Sequence, residues 1–224
     1  MAILQSNYIP WRGYFDLMAY VDEFIILDDV QYTRRDWRNR NKIKTPRGTE
    51  WLTVPVRVKG KYDQKICETK IDGSRWAQRH LRSLRESYSR APYFKGVYDL
   101  MSDAVLSGHE FLSSLNMDLI ERVARELGIG TQISQSGNLF LSQGRSERLA
   151  AMVERAGGKV YVSGPAARHY LELGPFISRG IQVDWFDYYG YASYPQLGRG
   201  FVPEVSIVDL LMNAGPSSRK FLRY

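Results

Sequence analysis

The chain has 224 residues, with 31 lysines and arginines against 24 acidic residues for a formal net charge of +7 and an isoelectric point near 9.4. That length buries a large core, and the charge favours an anionic partner without separating nucleic acid, nucleotide and anionic membrane. One cysteine, Cys67, excludes an internal disulfide and fits a reducing compartment; with no basic leader and no run near the ~20 apolar residues of a membrane span, the expected location is the cytoplasm.

Ala2–Leu4 is short and apolar, and Phe24–Leu27 is a β-rich apolar run stopped by Asp28 and Asp29. Both read as buried strands of a parallel sheet. Between them Phe15, Met18, Ala19 and Asp22 fall on helical spacings after Pro10, which a first helical turn tolerates. The unit is β-loop-α-β. The stretch from Arg34 to Arg47 follows as a basic loop, carrying Arg34, Arg35, Arg38, Arg40, Lys42, Lys44 and Arg47 against Asp36. Glu50–Val58 and Lys65–Ile71 then predict a β-hairpin about Lys59-Gly60-Lys61, inserted after that loop.

Asp72-Gly73-Ser74 offers an N-cap for a helix with Trp76, His80, Leu84 and Tyr88 on one face. Two more helices are expected over 93–107 and 110–127, the second closed by Gly128. Strand and helix then alternate again: a strand at 131–134, a helix at 145–156, and strands at 159–162 and 182–186. Right-handed crossovers make these strands parallel. Ser163-Gly164-Pro165-Ala166 opens a helix beyond a strand end, where backbone N–H groups could hold an anion or simply cap a turn. Tyr188–Gln196 is an aromatic loop, and a last helix over 205–213 turns Ile207, Leu210 and Leu211 inward, with Asp209 beside them. No linker or repeat divides the chain, so a single domain over 1–224 is expected.

Ligands of open α/β sheets sit beyond the carboxyl ends of the strands. Gln5, Ser6, Asn7 and Tyr8 follow the first strand, and Asp28, Asp29, Gln31 and Tyr32 the second. Asp28 and Asp29 cannot both face one site if they continue an extended strand. There is no Cys/His cluster and no nucleophilic triad or Gly-rich phosphate motif. Acid/base chemistry from Asp28 or Asp29 with His80 is what remains, beside anion clamps from Arg40 and Lys42. His80 on an apolar face also reads as a hydrogen-bonded core residue.

The runs Gln5-x-Asn7-Tyr8-x-Pro10-Trp11-x-Gly13-Tyr14-Phe15, Leu27-Asp28-Asp29-Val30-Gln31-Tyr32, Trp37-x-Asn39-Arg40-Asn41-Lys42-Ile43 and Trp51-Leu52-Thr53-Val54-Pro55-Val56 together resemble the WbqC-like protein family. Trp76–His80, Ser163-Gly164-Pro165-Ala166 and Tyr194-Pro195-Gln196 extend the likeness along nearly the whole chain. One departure is Ser6, where the family usually has proline, and a looser loop is expected there. The resemblance implies bacterial O-antigen or other surface-polysaccharide biosynthesis, with acyl or aminoacyl transfer to an amino sugar. A fainter likeness to nucleotidylyltransferases lies in the strand-loop-helix start alone, since their histidine motif is missing.

The expected fold is therefore α/β: a single-domain three-layer sandwich with a mostly parallel sheet, Rossmann-like, with a β-hairpin insertion. The expected function is group transfer to a nucleotide-linked amino sugar. Asp28, Asp29 and His80 are the candidate catalytic groups. Asn39, Arg40 and Asn41 would hold the diphosphate, Gln5, Asn7 and Tyr14 would contact the sugar, and Tyr8, Trp11, Lys42, Ser163 and Gly164 are further substrate-binding candidates. A Mg²⁺ could accompany the nucleotide, held mainly by substrate phosphates. The competing readings are a non-catalytic sugar-nucleotide-binding or scaffold subunit and a nucleic-acid-binding protein using the basic loop.

Overall fold

A computed structural model describes residues 1–137 and 144–224. Strand β1 (Ala2–Leu4) leads into α1 (Arg12–Tyr20) and β2 (Glu23–Ile26). The helix starts two residues after Pro10, with Trp11 at its cap. A hairpin of β3 (Arg40–Thr45) and β4 (Gly48–Thr53) follows, then α2 (Arg75–Tyr88), α3 (Phe94–Leu106) and α4 (Leu112–Glu126). The chain returns to the sheet through β5 (Gln132–Gln135), α5 (Arg145–Arg155), β6 (Val160–Ser163), the short α6 (Gly174–Ile177) and β7 (Gln182–Trp185), and α7 (Ile207–Ala214) packs near the end.

The five sheet strands lie in the order β5-β2-β1-β6-β7 and every pairing is parallel. Numbered along the chain as sheet strands, that order is 3-2-1-4-5, the Rossmann-like arrangement. Strand alternation divides the apolar side chains between two faces. Ala2, Phe24 and Ile26 join the larger core with α1, the hairpin, α2 to α4 and α7. Ile3 and Ile25 point the other way, onto Leu149, Ala150, Met152 and Val153 of α5 and Phe176 of α6. Helix, sheet and helix thus form three layers.

The hairpin is real but lies elsewhere in the chain than the residue pattern predicts. It pairs Arg40–Thr45 with Gly48–Thr53 around Pro46-Arg47, inside what reads as a charged loop. Asn41 and Ile43 face inward and Arg40 and Lys42 outward, so the basic residues hide an ordinary two-sided alternation. Lys65–Ile71 is not a strand. Ile66–Glu68 makes a single 3-10 turn, with Glu68 Oε2 accepting from Lys65 N at 3.0 Å, and only Val56 and Ile71 bridge across. Among the described residues, no helix is long and apolar enough to cross a membrane.

Candidate functional site

The loop after β1 is fastened by a buried network. Asp28, just past β2, accepts from Ser6 N at 2.8 Å and from Ser6 Oγ at 2.7 Å, and Ser113 Oγ of α4 donates to the same carboxylate. Asn116 Nδ2 donates to Ser6 Oγ at 3.0 Å and to Arg38 O at 2.9 Å. Ser6 therefore tightens the loop, contrary to the expectation, because its N–H and its hydroxyl both bind one carboxylate. Asp29 points the other way, accepting from Ser136 Oγ at 2.8 Å and pairing with Arg148 of α5.

Farther along, Ile9 holds a left-handed backbone at φ +39°, a costly conformation for a β-branched residue. Asn41 Nδ2 donates to Ile9 O at 2.9 Å and Tyr8 O at 3.3 Å, while its oxygen accepts from Lys42 N at 2.8 Å. The next turn brings Trp11 across Gly13, where an added Cβ would lie 2.3 Å from the indole. Glycine is what allows that approach.

Two cavities open on this framework. The first, about 420 Å³, lies beyond the carboxyl ends of the central strands, where the strand order reverses between β1 and β6. Gln5 enters it from β1, Leu27 from β2, and Ser163 with Gly164 from β6; Gln31, Thr33, Arg145, Tyr170 and Tyr188 complete the wall. Arg145, at the start of α5, lies 5.0 Å over the Tyr170 ring and pairs with no carboxylate among the described residues. Tyr188 packs 4.9 Å from Phe186, and burial pushes its phenol up to about 12, so it stays a hydrogen-bond donor. The second cavity, about 380 Å³, is lined by Asn7, Pro10, Trp11, Trp37, Asn41 and Glu204. Trp11 and Tyr188 stand 5.4 Å apart, one ring on each cavity, and form the partition.

Residues 5–221 match the WbqC-like protein family. The chain belongs to that family. It is 52% identical over 225 residues to the uncharacterized protein Rv1507c of Mycobacterium tuberculosis, covering 100% of this chain and 97% of that relative. No solved structure matches it.

In this WbqC-like chain the residues singled out by the pattern do not converge on one point. Gln5, Ser163 and Gly164 line the strand-end crevice; Asn7, Trp11 and Asn41 line the second cavity. Tyr8 and His80 are buried against each other, Tyr8 Oη 2.8 Å from His80 Nδ1, while His80 Nε2 lies 3.1 Å from Thr53 O. Tyr14 is buried with its hydroxyl on Gln5 O at 3.3 Å. Asn39 donates to Val54 O at 2.8 Å inside the hairpin. Arg40 stacks 4.2 Å over Trp51 and donates to Arg35 O, and Lys42 Nζ lies 5.3 Å over the same ring. The pattern missed Arg145 and Tyr170, whose only signal is position, and it marked Tyr188 only as the start of an aromatic loop.

Among the described residues no three His, Cys, Asp or Glu gather as a metal site would, and no carboxylate or histidine lines the described part of the crevice. These WbqC-like residues do not fit a protein-held Mg²⁺. Arg38, mostly buried, donates to Asn7 Oδ1 and lies 3.7 Å from Asp36. Desolvation lowers its guanidinium from the usual range.

Proposed function

We propose that the crevice binds a nucleotide-linked amino sugar, and that the protein serves acyl or aminoacyl transfer to that sugar in bacterial surface-polysaccharide biosynthesis. The observation that supports the binding half is the crevice itself: about 420 Å³ at the switch point of the sheet, with the Arg145 cation in its wall. Its size suits a small organic ligand, and an arginine without a carboxylate partner suits phosphate oxygens. Tyr170 and Tyr188 offer faces for a base or sugar ring. The transfer half draws on the family resemblance.

A second reading, a non-catalytic sugar-nucleotide-binding or scaffold subunit of the same pathway, is favoured by the engagement of Asp28, Asp29 and His80 within the protein. The nucleic-acid reading loses force because two arginines of the basic stretch are engaged within the protein, Arg38 on Asn7 and Arg40 over Trp51 of the hairpin.

Thermal shift and calorimetry with nucleotide sugars, acyl-CoAs and short oligonucleotides at two salt concentrations test binding. A sugar nucleotide is expected to raise the melting temperature, and Arg145→Ala to weaken it by roughly tenfold or more with the unliganded melting temperature unchanged. Stabilisation by oligonucleotides alone, lost at high salt, would overturn the proposal. Product analysis with paired donors and sugars then separates the two remaining readings. Turnover supports transfer, and its absence with binding retained supports the second reading.

A further inference from the structure

The second cavity is separate from the crevice. We propose that it holds a sugar ring bearing an amine, with no nucleotide required. Its walls come from three segments tied by backbone hydrogen bonds: Tyr8 N donates to Trp37 O at 3.0 Å, Ser206 N to Lys42 O at 2.8 Å, and Ile207 N to Pro10 O at 2.9 Å. The shape is therefore set before any ligand arrives, which reduces the cost of binding.

The lining is aromatic and uncharged on most sides. Trp11, Pro10 and Trp37 present flat apolar faces, and Trp37 is 43% exposed although tryptophan is rarely left in water. Trp51 backs Trp37 with ring centres 5.3 Å apart, and Arg40 and Lys42 sit over Trp51, so the platform is braced from behind. A pyranose has an apolar C–H face that lies on such rings and a polar hydroxyl edge that needs a few fixed partners.

The polar groups match that edge. Asn41 spends its amide on Tyr8 and Ile9. Asn7 gives its oxygen to Arg38, and its NH₂ meets no acceptor among the described residues. Glu204 is the charged group of the lining, exposed and without a salt bridge among the described residues. Its carboxylate can pair with a ligand ammonium. The inference does not depend on what the crevice binds.

Saturation-transfer NMR and tryptophan fluorescence with glucosamine, N-acetylglucosamine and glucose read this site, with and without saturating UDP. Glucosamine is expected to bind best and to remain bound when UDP is added. Trp37→Ala should weaken it by roughly tenfold with an unchanged melting temperature, and Trp37→Phe should recover most of the loss. Glu204→Gln should erase the preference for glucosamine over glucose. No saturable sugar binding, displacement by UDP, or full affinity in Trp37→Ala would each overturn the proposal. Failure of UDP to bind at all would count against the crevice reading alone.

Discussion

His80 is neutral because of where its two ring nitrogens go. Thr53 O can only accept, so Nε2 carries the hydrogen, and Nδ1 accepts from the Tyr8 hydroxyl. Burial then lowers the imidazole to about 4, while burial raises the Tyr8 phenol. A histidine with a lower pKa folded than unfolded binds its proton more readily in the unfolded chain, so stability rises with pH across that interval. The contribution is full above about 6.5, the ordinary value, and is lost as pH falls toward about 4. Urea unfolding between pH 4 and 7 should show a loss on the order of 3 kcal/mol from this group, and His80→Gln should flatten that part of the profile. An NMR titration placing the imidazole near 6.5 would refute it. The residue pattern identified His80 as either core or catalyst, and only Tyr8 and Thr53, far off in sequence, decide how the ring is held. Asp28 is alike: its place at a strand end was readable, but Ser113 and Asn116, 85 and 110 residues from the groups they bind, were not.

The hairpin is the element on which the second cavity depends. Its inner face carries Ile43 and Leu52 into the core, and Asn41 reaches from it to hold the strained backbone at Ile9. Asn41→Ala removes two donors and an acceptor from a buried place, and a loss of ~2–3 kcal/mol is expected from chemical denaturation. Faster amide exchange over residues 5–11 should accompany it; a uniform change across the chain would mean that Asn41 does not hold the loop. Helices were legible because their apolar stripes repeat at helical spacing, as on α2 and α4. The hairpin's limits were not, because four basic or amide side chains in Arg40–Lys44 imitate a solvated loop and the turn is Pro46-Arg47 rather than the Gly-containing Lys59-Gly60-Lys61.

Across the whole molecule one sheet supplies an apolar face to each of two cores. Neither core survives loss of the sheet, so heat or urea should unfold the protein in one step. Tryptophan fluorescence, which reports both sides through Trp76 and Trp185, and far-UV dichroism should give coincident midpoints; separated midpoints would show two independently stable units. The strand order also has a temporal side. β1 is the middle strand, and Ala2 pairs with Val162, so β1 is made well before the strand it pairs with. At ~5–20 residues per second a ribosome needs roughly ten to thirty seconds to cover that distance. Throughout that interval the nascent chain bears a bare row of β1 amides and carbonyls, open to any passing strand, and its yield in a cell rests on what shields that row until β6 emerges.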